Sequence, residues 1–279
     1  QLRTIVSATI ASEADMLISA DKDLSVPQIM QLLEETAALR LPTKILSEKL
    51  DVLVSRAQLP CDIVHGVPLV HFGAPRDRSR LNGIRRAATI AVSAGALMML
   101  TPLLAVIALI VRATSHGPAI FVQERIGVNR KPFRMYKFRT MRNKSEELQA
   151  QVEEFNESAG ALFKIRKDPR ITTVGRFLRR FSLDELPQLL NVIKGDMALV
   201  GPRPLPQRDF ENYYEDWHYS RHGGLPGLTC LWQVSGRSDI DFHNMCILDV
   251  YYLRNHTWIL DLDIALRTVT VVLFGTGAY

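Results

Sequence analysis

The feature that most constrains this chain is the apolar run from Ala87 to Val111, which contains no charged residue. A run of about 25 such residues is long enough to cross a bilayer as a helix. Arg85 and Arg86 precede it and Arg112 follows it. Cations at both ends blunt the positive-inside rule, so charge sets no orientation. Pro102, directly after Thr101, sits in the middle. A proline there frees backbone groups, which a neighbouring hydroxyl or another helix can satisfy even in lipid. Three arrangements fit: a straight span, a buried core helix, and a bent hairpin that enters and leaves on one face. Hydropathy alone favours the span.

At 279 residues the chain can hold one large domain or two modest ones. A net charge of +5 and a pI near 9.2 suit an anionic partner: membrane lipid, nucleotide or nucleic acid. No RNP-like or zinc-finger spacing is present, which disfavours nucleic acid. The three cysteines, Cys61, Cys230 and Cys246, form no C-x-x-C pair. That argues against a disulfide framework or a zinc site and agrees with a reducing cytosol. The chain opens on Gln1 and reads as a piece of something longer, with no signal peptide in what is given.

Residues 1–72 read as α/β. Thr4–Ile10 suits a strand, and Ser25-Val26-Pro27-Gln28 suits a capped helix start with Ile29, Leu32, Leu33 and Leu39 on one face. Lys44–Leu46 and Ile63-Val64 read as further short strands. No G-x-G-x-x-G occurs, so a bound dinucleotide is not supported and a structural or regulatory half-domain is expected. Residues 74–86 form a basic linker. Beyond the apolar run, Ala119–Arg125 reads as a strand ending at a turn on Gly127. Phe133–Met141 alternates basic and apolar residues, including Arg134, Lys137 and Arg139. It fits a solvated strand, or a basic wall for lipid headgroups or a pyrophosphate. Glu146–Glu157 reads as a solvated helix. Residues 206–222, rich in aromatics, fit an interfacial segment or an amphipathic surface helix. Asp261, Asp263 and Arg267 interrupt the apolar segment 258–273, which fits a core or interfacial helix better than a second span.

The chemistry concentrates at Ser182-Leu183-Asp184-Glu185-Leu186-Pro187-Gln188. Two adjacent carboxylates stand at a helix start, with Arg179 and Arg180 upstream and Arg203 downstream. Capping alone could account for this, because Ser182 with Glu185 fits a capping box and Gly195 would close the helix. Pro187 complicates that register, since it falls inside the helix if Ser182 is the N-cap and in the tolerated first turn if Asp184 is. Acids among arginines also suit phosphate chemistry. A carboxylate can act as nucleophile, base or metal ligand, and guanidiniums can hold phosphoryl oxygens.

The motifs from about Asn82 to Tyr279 resemble those of the bacterial polyprenyl-phosphate sugar-1-phosphate transferases, the monotopic phosphoglycosyl transferases. They include Phe121–Gly127, Tyr136–Met141, Asp168-Pro169-Arg170, Val174–Arg179, Ser182–Gln188, Lys194–Met197 and Val200–Pro204, followed by Pro226–Thr229, Trp232–Arg237 and Leu248–Tyr252. Each is weak alone; in the family's order over roughly 70% of the chain they are strong. One departure is Cys230, where the family usually has Gly.

The resemblance implies a fold and a reaction. The expected fold is an α/β Rossmann-like half-domain (1–73, truncated) and the linker 74–86. A re-entrant membrane helix hairpin (87–111), broken at Thr101-Pro102, and a mostly helical α+β catalytic domain (112–279) follow. The reaction implied moves a sugar 1-phosphate from a nucleotide diphosphate sugar, with a UDP-hexose expected, to undecaprenyl phosphate. UMP is released and a surface glycan (exopolysaccharide, capsule or O-antigen) is begun. Asp184 is the implied nucleophile, forming a covalent phospho-sugar, and Glu185 helps with the metal or with orientation. Both are implied ligands of Mg2+. Phosphate or substrate binding is implied for Arg179, Arg203, Pro202, Lys137, Arg139, Gln233 and Arg237. The expected place of work is the cytoplasmic face of the bacterial inner membrane, among membrane lipid, with no nucleic acid partner and with homo-oligomers left open. A catalytically silent membrane scaffold is the alternative, and the intact Asp184–Glu185 pair argues against it. A transferase making a glycosidic bond would release UDP instead.

Overall fold

The computed structural model describes residues 14–74, 79–142, 165 and 168–274. The strand expected at Thr4–Ile10 and the helix expected at Glu146–Glu157 lie outside them. The N-terminal region pairs strand β1 (Leu17–Ser19) in parallel with β2 (Thr43–Leu46) across helix α1 (Val26–Ala38). Ser25 caps α1 with a capping box to Gln28, as its sequence predicts. Ile29, Leu32 and Leu33 are buried, whereas Leu39, just beyond the helix end, is 39% exposed. Helix α2 (Asp51–Ser55) follows, then β3 (Asp62–Val64) and β4 (Val67–Phe72). The sheet order is β1-β2-β4-β3, and both pairings of β4 are antiparallel. The described part is therefore one βαβ unit joined to a hairpin, not a doubly wound parallel sheet.

Helix α3 runs from Ser79 to Thr114 as one element that continues through Pro102. It takes in residues 79–86, which composition alone assigns to a linker. Thr101 Oγ1 donates to the Leu97 carbonyl at 2.8 Å. Such a back-bond, next to a residue without an N–H, favours bending. Arg86 donates to the carbonyls of Val192 and Ile193 at 2.7 and 2.9 Å. Farther along, Ile107 and Val111 are buried with Phe138 and Leu178. Both flanks of α3 thus return to one body, while Met98 and Met99 between them are 79% and 84% exposed.

Strands β5 (Ile120–Ile126) and β6 (Pro132–Phe138) form an antiparallel hairpin, joined at the edge by β8 (Leu205–Pro206). Helix α4 (Thr173–Arg180) leads to a 3-10 turn at Leu183–Gln188, helix α5 (Leu189–Lys194) and β7 (Ala198–Val200). Gly195 closes α5 with φ 101°. Helix α6 (Gln207–Tyr213), a 3-10 segment (Asp216–Gly223), β9 (Gly227–Thr229) and α7 (Leu231–Val234) complete the site region. Strand β9 pairs in parallel with β7. The interfacial reading of residues 206–222 gives way to packing, since Trp217 is buried in an aromatic cluster with His218 and Phe242. Helices α8 (Phe242–Asn255) and α9 (Trp258–Phe274) finish the chain. Ile264 of α9 is buried, and Ile259, Leu262, Leu266, Val269 and Leu273 are exposed. All three cysteines are free thiols.

Candidate active site

Asp184 enters its site through a backbone turn. Ser182 takes a left-handed conformation (φ 53°, ψ 21°), uncommon for a residue with a Cβ. Its N–H donates to the Arg179 carbonyl at 3.1 Å, and its carbonyl accepts from Glu185 N–H at 3.2 Å. The chain thereby doubles back from α4 into the 3-10 turn. The capping-box reading fails, because Ser182 makes no side-chain cap bond and its Oγ instead accepts from Arg237 at 2.8 Å. Pro187 is accommodated in the 3-10 turn, ahead of α5.

Helix α4 is aimed by Gly175, where a Cβ would collide with the Thr140 carbonyl. That close approach brings Arg179, one turn later, to Thr140, whose hydroxyl accepts from Nε at 2.9 Å. The guanidinium's remaining nitrogens are directed by the same anchor. Glu185 accepts from Arg203 at 3.0 Å, with the two side chains 21% and 31% exposed. Both remain partly open to solvent, whereas Asp184 is only 8% exposed. The Arg203 guanidinium also lies 5.6 Å from the centre of the Trp232 ring.

The hairpin contributes the cation. Its register pairs Phe121 with Lys137, Gln123 with Met135, and Arg125 with Phe133. Lys137 Nζ lies 3.4 Å from Gln123 Oε1 and 5.3 Å from the Phe121 ring centre. Arg125 donates to Gln123 Oε1 at 2.7 Å and to the Pro204 carbonyl at 3.2 Å. Gln123 and Arg125 belong to the Phe121–Gly127 motif, to which the sequence reading gives no site role. Alternation along Phe121–Arg125 would have placed them on one face, and the short Gly127 turn would have set that face against Lys137.

The charges act on one another. Burial pushes the Asp184 carboxyl up to about 6, with Glu185 adding to the rise and Arg179 and Lys137 opposing it. Burial would also raise Glu185, but Arg203, together with Lys137 and Arg237, holds that carboxyl below its ordinary range. Lys137 is lowered to about 7 by burial and by Arg125 and Arg179, against the pull of the two acids. One acid poised near neutrality beside one held ionised gives the two carboxylates different chemical roles.

Arg237 bonds Ser182 and acts electrostatically on Glu185 and Asp184. Pro202 is buried and its carbonyl accepts from Gly227 N–H at 2.9 Å, so it shapes the loop through its backbone. Gln233 accepts from the Cys230 thiol at 3.3 Å. Arg139 is not brought to the carboxylates. It lies past the end of β6, buried, and donates to the His116 carbonyl near Gly117. The basic alternation of Phe133–Met141 is therefore no continuous wall: Arg134 is exposed, Lys137 faces the acids, and Arg139 packs under the end of α3.

Residues 80–275 match the bacterial sugar transferase family. The chain belongs to that family. This agrees with the kinship to polyprenyl-phosphate sugar-phosphate transferases drawn from the motifs. Among its relatives is the galactosyl transferase CpsE of Streptococcus agalactiae, 47% identical over 163 residues, covering 58% of this chain and 36% of the relative. The undecaprenyl-phosphate galactose phosphotransferase of Salmonella typhimurium is 47% identical over 167 residues, 58% of this chain and 35% of that protein. The exopolysaccharide production protein ExoY of Rhizobium meliloti is 37% identical over 199 residues, 70% of this chain and 88% of that protein. The chain thus spans about a third of the length of the first two relatives.

Proposed function

We propose that this family member transfers a sugar 1-phosphate from a UDP-hexose to undecaprenyl phosphate at the cytoplasmic face of the bacterial inner membrane, beginning a surface glycan. The observation that carries the reading is Asp184: a buried carboxylate raised toward neutrality, acted on by Arg179 and Lys137, next to a Glu185 held ionised by Arg203. In the first step an Asp184 oxygen attacks the phosphorus that bears the sugar. The bond from that phosphorus to the bridging oxygen breaks and UMP leaves. In the second step an oxygen of undecaprenyl phosphate attacks the same phosphorus. The Asp184–phosphorus bond breaks and the carboxylate is regenerated. Splitting the transfer lets a soluble donor and a lipid acceptor use the site in turn.

Arg179 and Lys137 offset the charge that builds up on the phosphoryl oxygens. Among the described residues no group of three or more His, Cys, Asp or Glu could hold a metal. Two adjacent carboxylates nevertheless fit Mg2+, which is usually held by one or two carboxylates plus substrate phosphates. Glu185 and Asp184 would hold it. When bound, the ion supplies charge neutralisation of the diphosphate.

Helix α3 supports the membrane setting. Its length and composition suffice to cross a bilayer, its middle is exposed, and both flanks dock on the catalytic body. That pattern favours a helix that dips in and returns, with its turn near Pro102.

Intact-protein mass spectrometry tests the proposal. With UDP-hexose and Mg2+ but no lipid acceptor, the wild type should gain one hexose phosphate, and Asp184→Asn should gain none while staying folded. An adduct that persists in Asp184→Asn moves the nucleophile elsewhere, first to Glu185.

A further inference from the structure

Arg203, which holds Glu185, is carried on a short irregular loop between β7 and β8, and that loop is gripped from both sides. The Arg203 carbonyl accepts from Arg221 at 2.7 Å, and the next carbonyl, of Pro204, accepts from Arg125 at 3.2 Å. Arg221 is in turn fixed. Its Nε donates to Asp249 Oδ2 at 2.9 Å, and its other nitrogen donates to the Tyr214 hydroxyl at 2.8 Å. Arg221 and Asp249 are each 1% exposed. Tyr214 OH also meets His222 Nε2 at 3.1 Å, and His222 Nδ1 meets the Gly127 carbonyl at the end of β5. The clamp therefore ties the Asp249 helix, the Arg203 loop and the hairpin that carries Lys137 into one frame. Burial pushes the Asp249 carboxyl up against the pull of Arg221, while the guanidinium is held firmly charged; the short paired contacts are those of an ion pair.

Burying two charges is expensive, and an apolar pair of similar volume is often as stable or more so. Stability alone therefore gives weak reason for this pair. What a guanidinium offers and an apolar side chain lacks is simultaneous donation to a carboxylate, a phenol and a backbone carbonyl. We propose that Arg221 and Asp249 are positioning residues for the transfer reaction: they fix the Arg203 backbone so that its guanidinium stays on Glu185. The inference rests on the transferase reading for its kinetic consequence, but its structural consequence can be read without turnover.

The test removes both charges together. Arg221→Met/Asp249→Leu leaves no orphaned buried ion, and its thermal transition should remain cooperative. Its kcat for UMP release from UDP-hexose should fall about 100-fold, the scale expected when a reacting group loses its placement. Arg203→Ala should fall by a similar factor. The triple variant should be no worse than either, because residues acting through one contact are not additive. Losses that multiply, or a clamp variant with wild-type kcat, would overturn the proposal. The Glu185 titration, followed by carbon NMR with Glu185→Gln as the assignment control, reads the same contact in resting protein. Its pKa should rise in the clamp variant and in Arg203→Ala to the same value. An unchanged Glu185 pKa in the clamp variant overturns the clamp whether or not the wild type turns over, whereas a wild type that releases no UMP from UDP-hexoses overturns the transferase reading alone.

Discussion

Asp184 and Lys137 share one buried site, and their pKa values converge, the acid raised to about 6 and the amine lowered to about 7. The proposed mechanism requires Asp184 ionised and Lys137 protonated, so UMP release should follow a narrow bell with limbs near those values. Lys137 holds the Asp184 pKa down, so Lys137→Met should lower turnover and move the acidic limb to higher pH. An acidic limb left near pH 4 in the wild type would refute the placement of Asp184. Arg179 is held at Nε by Thr140, which leaves its other nitrogens for phosphoryl oxygens. Arg179→Lys keeps the charge and loses the fork, so turnover should drop by about tenfold or more; wild-type turnover at saturating substrate would reject the role. The acid pair and Arg179 were legible because they are neighbours in sequence. The left-handed turn at Ser182 was not, because a serine before two acids reads first as an ordinary N-cap. Arg139 was misjudged for a related reason: period-2 alternation was extended past Phe138, where β6 ends.

Among the elements, α3 was the clearest from sequence, since an uncharged run of its length has few alternatives. Strands β5 and β6 fall where Ala119–Arg125 and Phe133–Met141 read as extended, on either side of the Gly127 turn, while their pairing into a hairpin comes from the structure. The strands of the N-terminal sheet were partly legible: Thr43–Leu46 and Asp62–Val64 cover the short strands read at Lys44–Leu46 and Ile63-Val64. Strand β4 (Val67–Phe72) was missed because Pro68 and His71 break its pattern, and partners from both sides supply its burial. The path of α3 is where sequence stopped, since a bent and a straight helix share one composition. Docking of both flanks on one body supports the proposed path, in which the two ends lie on the same side. With Cys61 replaced by Ser to remove the one partly exposed thiol, Arg85→Cys and Arg112→Cys should both label with an impermeant maleimide from the cytosolic face alone. Labelling from opposite faces would restore the straight span. Pro102→Leu should shift the population toward that span, because the helix regains a backbone bond and loses the ring clash.

Across the whole molecule, the N-terminal half-domain shares a core with the catalytic region. Buried residues from Leu17 to Phe72 join those from Val200 to Ile264 in one apolar cluster. No local pattern announces this, because it depends on pairings separated by about two hundred positions. Arg254, near the end of α8, donates to the carbonyls of Leu33 and Leu41 at 3.0 and 3.4 Å. Asn255 exchanges bonds with Gly73 N–H and the His71 carbonyl at 2.9 and 3.0 Å. Phe72 meets Tyr251 edge to face, with ring centres 5.8 Å apart. The half-domain is thus seated on the same helix that carries Asp249. Parts that share a core and satisfy each other's buried backbone groups should unfold together. Calorimetry on the full chain should show one transition spanning both regions. Arg254→Ala leaves two partly buried carbonyls without their donor, at about 1–3 kcal/mol for each group left unmade. That single transition should move down as a whole, and hydrogen exchange should quicken in α1 and α8 alike. Two resolved transitions, with only the N-terminal one sensitive to Arg254→Ala, would show instead that the half-domain is a separate unit resting on the catalytic region.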